Sequence, residues 1–507
     1  MSRVDPYSAT RIRRGAAYLI GGKALTALAG FGTFLVLVRG LPVEQFAAYS
    51  ILFGMVELVD GLTGFGLGQI LSRYVPELYV EHRRVALRRL VGLALAARIA
   101  VLAAFLATVY ALAPAIAPLI GLADWEWALQ AYLAVVVVRV AETTLFGVLE
   151  SMLLQAVAQL GFGVVTVLRF ALLALVSSQG ALDLGQVILI ELTTDLVGCG
   201  VMLIGLLRKM PRAAPDDPLD GKDWVRQNLR RMLGFGGRGY VQHLLILPFA
   251  GSTNRLLVGG ALASAEVALF GFAQSAIDLI DRYMPVNLLA GVIRPVLTAR
   301  YVRDRRFADL QFAANLIFKI NATLICLAAV VIFSGGMPML DALTRGKYTE
   351  GVPGLLVLMC ALLLMFSLRT VLDQLCHALE RNGPLIWGNG LMLLSFVPGV
   401  AMLPVVGVYA LPAANLAGAM LGCGVLVWRL RQEGFDFRLD LANLARLLAA
   451  SGLAMGAALA VRAAGSGWFL AEAVAVAVFA VGLAAARPFG AAEIELLRSM
   501  AGRPRPR

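Results

Sequence analysis

The sequence predicts an all-α, polytopic membrane protein of about fourteen transmembrane helices, arranged as two six-helix lobes in parallel repeat plus two additional C-terminal helices. Three observations carry this reading. Hydrophobic residues make up 60% of the chain and charged residues only 15%, with a mean hydropathy of +0.80, so there is too little polar side chain to cover a soluble globule of this size. Apolar runs of about 20 residues, the length that crosses a hydrocarbon core roughly 30 Å thick, follow one another along the sequence. A cluster of charges inside one such run returns inside another at a constant offset of 221 residues.

The first lobe, residues 1–207, is expected to hold segments 15–38, 44–71, 89–113, 125–150, 151–177 and 185–208. Its first apolar run is too long for a secretory signal and lacks a small-residue cleavage site, so it is retained as a helix. Gly61, Gly64, Gly66 and Gly68 in the second segment suit close packing or local unwinding. A linker at 208–231, with Pro211, Pro215, Asp216, Asp217 and Pro218, separates the lobes. The second lobe, 232–431, should contain segments 232–259, 265–292, 309–333, 351–378, 384–404 and 407–430, with bends at Pro248 and Pro285. Segments 441–463 and 467–487, within 432–507, form the additional pair and precede a cytoplasmic tail.

Basic residues orient these segments. Alternating the connections between two sides places Arg11, Arg13 and Arg14, Arg83 to Arg89, Arg208 and Lys209, Arg230 and Arg231, Arg300 to Arg306, and Arg429 and Arg431 on one face. Positive charge is retained on the cytoplasmic side, so both termini are expected there. The same bias accounts for the net charge of +12; the basic clusters flank helix ends without aromatic interleaving, and no nucleic-acid partner is expected.

The repeat is read from charge. Val56-Glu57-Leu58-Val59-Asp60 matches Ile277-Asp278-Leu279-Ile280-Asp281, and at the same offset Tyr49 meets Phe270, Arg73 meets Arg294, Arg84 meets Arg305 and Arg98 meets Lys319. Six segments separate matched positions, so both copies enter the membrane in the same direction. Two such lobes would enclose a polar cavity. A charge at the bilayer centre costs on the order of 3 kcal/mol or more, so buried charges mark pairs, cavities or pathways.

Several of these charges can neutralise one another along a helix face: Arg139 with Glu142, Glu191 with Asp195, and Arg369 with Asp373. Glu57, Asp60, Asp278 and Asp281 can tie their helices to arginines such as Arg98, Arg282 and Arg294. With Arg282, Arg139 and Glu142 they form either a structural charge network or the groups that couple transport to H+ or Na+. The remaining cations, Arg98, Lys319, Arg169, Arg238, Arg255 and Arg294, are the candidate substrate-binding residues of a cationic cavity. Guanidinium stays charged and forks onto phosphate through two parallel hydrogen bonds, which suits a phosphate or pyrophosphate group.

Chemistry of other kinds finds no pattern. The five cysteines fall in apolar segments without C-x-x-C spacing, and the three histidines are scattered, so neither a metal site nor a catalytic residue is expected. Gly21-Gly22-Lys23-Ala24 lacks the upstream glycine and the following Ser or Thr of a phosphate loop. No cofactor is expected.

Arg39-Gly40-Leu41-Pro42, Glu44-Gln45-Phe46 with Tyr49, Gly64 through Gly68, and Arg73-Tyr74-Val75-Pro76-Glu77 together resemble the opening of bacterial polysaccharide exporters. These are the Wzx-type lipid-linked oligosaccharide flippases of the multidrug/oligosaccharidyl-lipid/polysaccharide (MOP) superfamily. Ala47 stands where that pattern has Gly. The resemblance implies a non-enzymatic flippase of the inner membrane that moves a glycan on an undecaprenyl-pyrophosphate carrier, among membrane lipids, by alternating access. It carries no residue set beyond the expectation of a cationic cavity. A drug or organic-cation antiporter of the same superfamily would instead need a cavity of net negative charge. A membrane-embedded glycosyltransferase would need acidic residues in a substantial external loop, and the first such connection offers only Glu44.

Overall fold

A computed structural model of the protein describes residues 9–81, 83–152, 154–210, 224–284, 306–348, 351–379, 381, 383–490 and 493–494. All regular structure among these residues is helical. Eleven of the described helices are long and apolar enough to cross a membrane, twelve if one bent pair counts as a single span. The protein is therefore a multi-pass membrane protein. Each of the fourteen expected segments overlaps helix, although the described apolar part of the first is the shorter stretch Leu25–Gly40.

Two compact units divide the chain, Met1–Gly271 and Phe272–Arg507. The first contains α1 (Ala9–Gly40), α2 (Val43–Thr63), α3 (Leu67–Val80), α4 (Arg84–Ala111), α5 (Ala113–Leu119), α6 (Glu126–Ser151), α7 (Gln155–Gln179), α8 (Leu184–Lys209), α9 (Trp224–Ile246), α10 (Gly251–Ala261) and the start of α11 (Ser264–Arg282). Helix α8 lies against both α6 and α7, α1 against α7, and α3 against α4, α6 and α9. Tyr74, Leu78, Leu87, Val91, Val148, Leu149 and Met202 fill the space where α3, α4, α6 and α8 meet. Lipid is as apolar as these side chains, so their contribution is close van der Waals packing rather than withdrawal from water.

Local sequence explains the ends that matter. Asp183 starts α8 by accepting a hydrogen bond from the Gly185 amide at 3.2 Å, while Gln186 accepts one from the Asp183 amide at 3.2 Å, a reciprocal cap. Gln45 on α2 accepts from the Leu184 amide at 2.9 Å and so fixes α2 to the same end of α8.

The continuous second segment expected from sequence is broken. Helix α2 ends at Thr63 and α3 restarts at Leu67, with Phe65 and Gly66 both at positive φ. Gly66 is required there: its φ is +75°, and a Cβ would lie 2.2 Å from the Gly236 carbonyl oxygen of α9. Pro248 bends the seventh segment as expected, with α9 and α10 meeting at 44°. Pro285 lies outside the described residues.

In the second unit α12 (Phe307–Thr344) packs on α13 (Val352–Ala378), and α15 (Ala410–Gln432) on both α13 and α14 (Gly383–Ala401). The two additional helices, α16 (Leu441–Ala463) and α17 (Trp468–Ala486), pair with each other and lie against α12. Helix α12 runs beyond its expected end through a kink at Gly336, and Arg462 of α16 donates to the Ser334 carbonyl beside it. A kink frees backbone carbonyls that lipid cannot satisfy, and the guanidinium takes that role.

Candidate functional site

The break between α2 and α3 builds the site. A helix that stops leaves its last carbonyls without intrahelical partners and a partial negative charge at its C-terminal end. Three groups converge on the end of α2: Thr63 donates to the Val59 carbonyl at 2.6 Å, Tyr240 of α9 to the Leu62 carbonyl at 2.6 Å, and Arg98 of α4 to the Asp60 carbonyl at 2.9 Å. The same Arg98 nitrogen, Nη2, also pairs with the Asp60 carboxylate. Arg98 is buried, yet its other terminal nitrogen, Nη1, has no hydrogen-bond partner among the described residues.

That guanidinium borders a cavity of about 320 Å³. Asp60, Gly61 and Gly64 form one wall, and Gln69, Ser72, Thr143, Thr144, Glu150 and Ser151 supply polar groups around it. The hydroxyls of Thr143, Thr144 and Ser151 donate to carbonyls of their own helix at 2.8–2.9 Å, which leaves their oxygens to accept from a guest. The cavity therefore combines an ion pair, one unengaged N–H group and a ring of acceptors. Among the described residues Arg98 is its one guanidinium, set beside the carboxylates of Asp60 and Glu150 rather than among the several cations expected. The cavity thus suits a polyhydroxylated guest and offers an anionic oxygen a single contact.

A second constellation lies where α2, α6, α7 and α8 meet. Arg139 of α6 reaches Glu191 at 3.2 Å and Asp195 at 2.8 Å, and Arg169 of α7 reaches Glu191 at 3.7 Å and pairs with Asp195. Tyr49 and Tyr132 donate to the two oxygens of Glu191 at 2.9 and 2.8 Å. Both carboxylates are fully buried, and two arginines with two tyrosines satisfy them. Arg139 thus pairs across to α8 instead of along its own helix to Glu142, as expected from the i,i+3 spacing. Glu191 and Asp195, being like charges, are held by arginines rather than by each other. Phe53 of α2 adds its ring face to Arg139 at 5.7 Å and to buried Arg255 at 5.2 Å.

The other expected residues are dispersed. Arg238 is exposed and donates to the Gly234 carbonyl at 3.0 Å. Glu57 is exposed and Glu142 buried. Asp278 accepts from Gln274 at 2.8 Å, Asp281 is half-buried and Arg282 exposed at the end of α11. Arg294 lies outside the described residues. Arg369 approaches Asp373 at 3.9 Å as expected, and also donates to Asn389 at 2.6 Å.

Lys319, the repeat counterpart of Arg98, has a different environment. Its ammonium lies 2.9 Å from Asp440, the residue that caps α16, and 2.9 Å from Glu493. Burial pushes the Asp440 carboxyl up, but hydrogen bonds from Lys319 and Asn443 outweigh it and hold the group below its ordinary value. The partners of Lys319 come from beyond the repeat, where sequence comparison of the two copies could not supply them. Tyr49 and Tyr132 were equally hidden; the signal available was two arginines and two acids in adjacent apolar segments.

Residues 12–299 match the family model described as polysaccharide biosynthesis protein. No curated protein matches the chain. Among solved structures, the lipid II flippase MurJ in an inward closed conformation is similar over 92% of this chain and 98% of its own, with a TM-score of 0.69 and 11% identity. An inward-facing multidrug resistance MATE family transporter of the MOP superfamily is similar over 82% and 99%, with a TM-score of 0.63 and 16% identity. A MOP superfamily transporter from Pyrococcus furiosus follows over 84% and 96%, at a TM-score of 0.50 and 16% identity. At these identities the likeness is one of fold.

Proposed function

This chain belongs to the polysaccharide biosynthesis protein family, and from that premise we propose that it moves a polyprenyl-pyrophosphate-linked oligosaccharide from the cytoplasmic to the outer leaflet of a bacterial inner membrane. The fold is that of MOP transporters, so the reading is of a flippase working by alternating access rather than of an enzyme. The observation that carries it is the cavity at the α2 break, where buried Arg98 keeps Nη1 unengaged beside a ring of hydroxyl and amide groups.

In this reading a pyrophosphate oxygen accepts from Arg98 Nη1, a charge-assisted bond of about 1.5–3 kcal/mol. Glycan hydroxyls donate to Ser72, Thr143, Thr144 and Ser151. The polyprenyl tail stays in lipid, so only the polar headgroup has to be sheltered from hydrocarbon. The glycines at the break allow the two halves of the second segment to move separately. Both termini lie in the cytoplasm, as the basic residues direct.

The test is deletion of the gene followed by extraction of lipid-linked glycans. Retention of the lipid-linked pool in the inner leaflet is the expected result. Unchanged lipid intermediates together with new drug sensitivity overturn the reading and favour an organic-cation antiporter.

A further inference from the structure

The four-helix charge cluster contains one carboxyl too many. Arg139 and Arg169 bring two positive charges and Glu191 and Asp195 two negative ones, and these four groups satisfy one another. Glu142 lies one turn further along α6, 8% exposed, with no ion pair or hydrogen bond among the described residues. Its Oε1 faces α8 at Gly198, 3.3 Å from where a Cβ would stand, one turn beyond Asp195. A carboxylate buried in a membrane without a hydrogen bond or ion pair of its own is unfavourable, whereas the neutral acid is far less so.

We propose that Glu142 is a proton-binding residue, neutral while both arginines are held by Glu191 and Asp195 and ionised when one of them is released toward it. Protonation takes a proton from water and converts the carboxylate to the acid; deprotonation returns it, and no other reactant is involved. Ionised Glu142 competes with Asp195 for Arg139 or Arg169, so its proton sets how firmly α6 and α7 are held to α8.

The surroundings support a proton rather than a metal cation. From α8, Glu142 faces Asp195, with Glu191 and Cys199 a turn away on either side; from α7 it faces Arg169, and on α6 itself Arg139, whose Nη1 donates to Tyr132. Tyr49 of α2 lies on the far side of Glu191. On α3 and α4, Arg73 pairs with Glu77 and Arg98 with Asp60, and α5 carries no charge. No group of three or more metal-ligating side chains occurs among the described residues. The proposal does not rest on the glycan.

The experiment is infrared difference spectroscopy of the full-length protein in lipid vesicles, titrated with acid and base without substrate. Wild type should show the carbonyl stretch of a buried protonated carboxyl that titrates reversibly, and Glu142→Gln should lose that one band while Glu150→Gln keeps it. A band set unchanged in Glu142→Gln overturns the proposal. So does a wild-type band that follows Na+ at fixed pH. Should Glu142→Gln fail to insert, Glu142→Asp must shift the midpoint of the titration; an unmoved midpoint also overturns it.

Discussion

Arg98 closes the end of α2 through one nitrogen on Asp60 and keeps the other buried against an open cavity. The engaged edge anchors the guanidinium, and the other is left without a hydrogen-bond partner beside the cavity. The guanidiniums at Glu191 and Asp195 differ in lying between two carboxylates each.

Replacing Arg98 by Ala should therefore lower transport about ten- to hundredfold, the equivalent of one charge-assisted hydrogen bond. Arg98→Lys should recover only part of the loss, because an ammonium cannot serve the Asp60 carbonyl, its carboxylate and a guest along one planar fork. Transport is measured in vesicles and insertion by membrane fractionation; full transport by both variants removes Arg98 from the site.

The cluster on α8 should behave as a structural unit. Arg139→Ala leaves Glu191 and Asp195 short of a cation and should destabilise the protein by about 3–5 kcal/mol. Asp195→Ala should cost clearly less in the Arg139→Ala background than in wild type, since the broken pair cannot be lost twice. Thermal unfolding in detergent gives the comparison, and strictly additive losses would contradict the pairing.

Much of this was legible in the chain. Apolar runs located the helices, because a membrane-spanning helix needs a length and a composition that few other structures share. The sequence offered Arg98, Arg282 and Arg294 as partners for Asp60, and the structure pairs it with Arg98. What escaped sequence reasoning has identifiable causes. The hydroxyls of Tyr49 and Tyr132 meet Glu191 across 142 and 59 residues of chain, separations that no sequence spacing connects. Asp440 and Glu493 lie outside apolar runs, where charges are ordinary. The break at Gly66 is set against Gly236, about 170 residues away.

Lys319 should prove more important for docking than its repeat position suggests. Lys319→Gln should raise amide hydrogen exchange at the start of α16, where Asp440 loses a partner. Acid should act in the same direction. The Asp440 carboxyl is held below its unfolded value, so its contribution is complete above the ordinary carboxylate range and is lost as pH falls through the lowered value. Exchange at α16 that is indifferent to both changes would place the docking elsewhere.

Gly66→Ala tests the helix break. Its φ of +75° and the Gly236 carbonyl at 2.2 Å both oppose a methyl group, and the backbone contribution alone is about 1–2 kcal/mol. Gly68→Ala meets nothing within 4 Å and should be neutral in the same thermal assay. Equal stability of the two variants would contradict the geometry of the break.

The central claim is that Arg98 holds the polar headgroup of a lipid-linked glycan. It is tested most directly by reconstituting wild type and Arg98→Ala in vesicles with a labelled polyprenyl-pyrophosphate glycan and measuring its appearance in the opposite leaflet. Wild type should translocate the lipid and Arg98→Ala should do so at least tenfold more slowly, at equal incorporation, about 1.4 kcal/mol. Equal rates for the two proteins would contradict it.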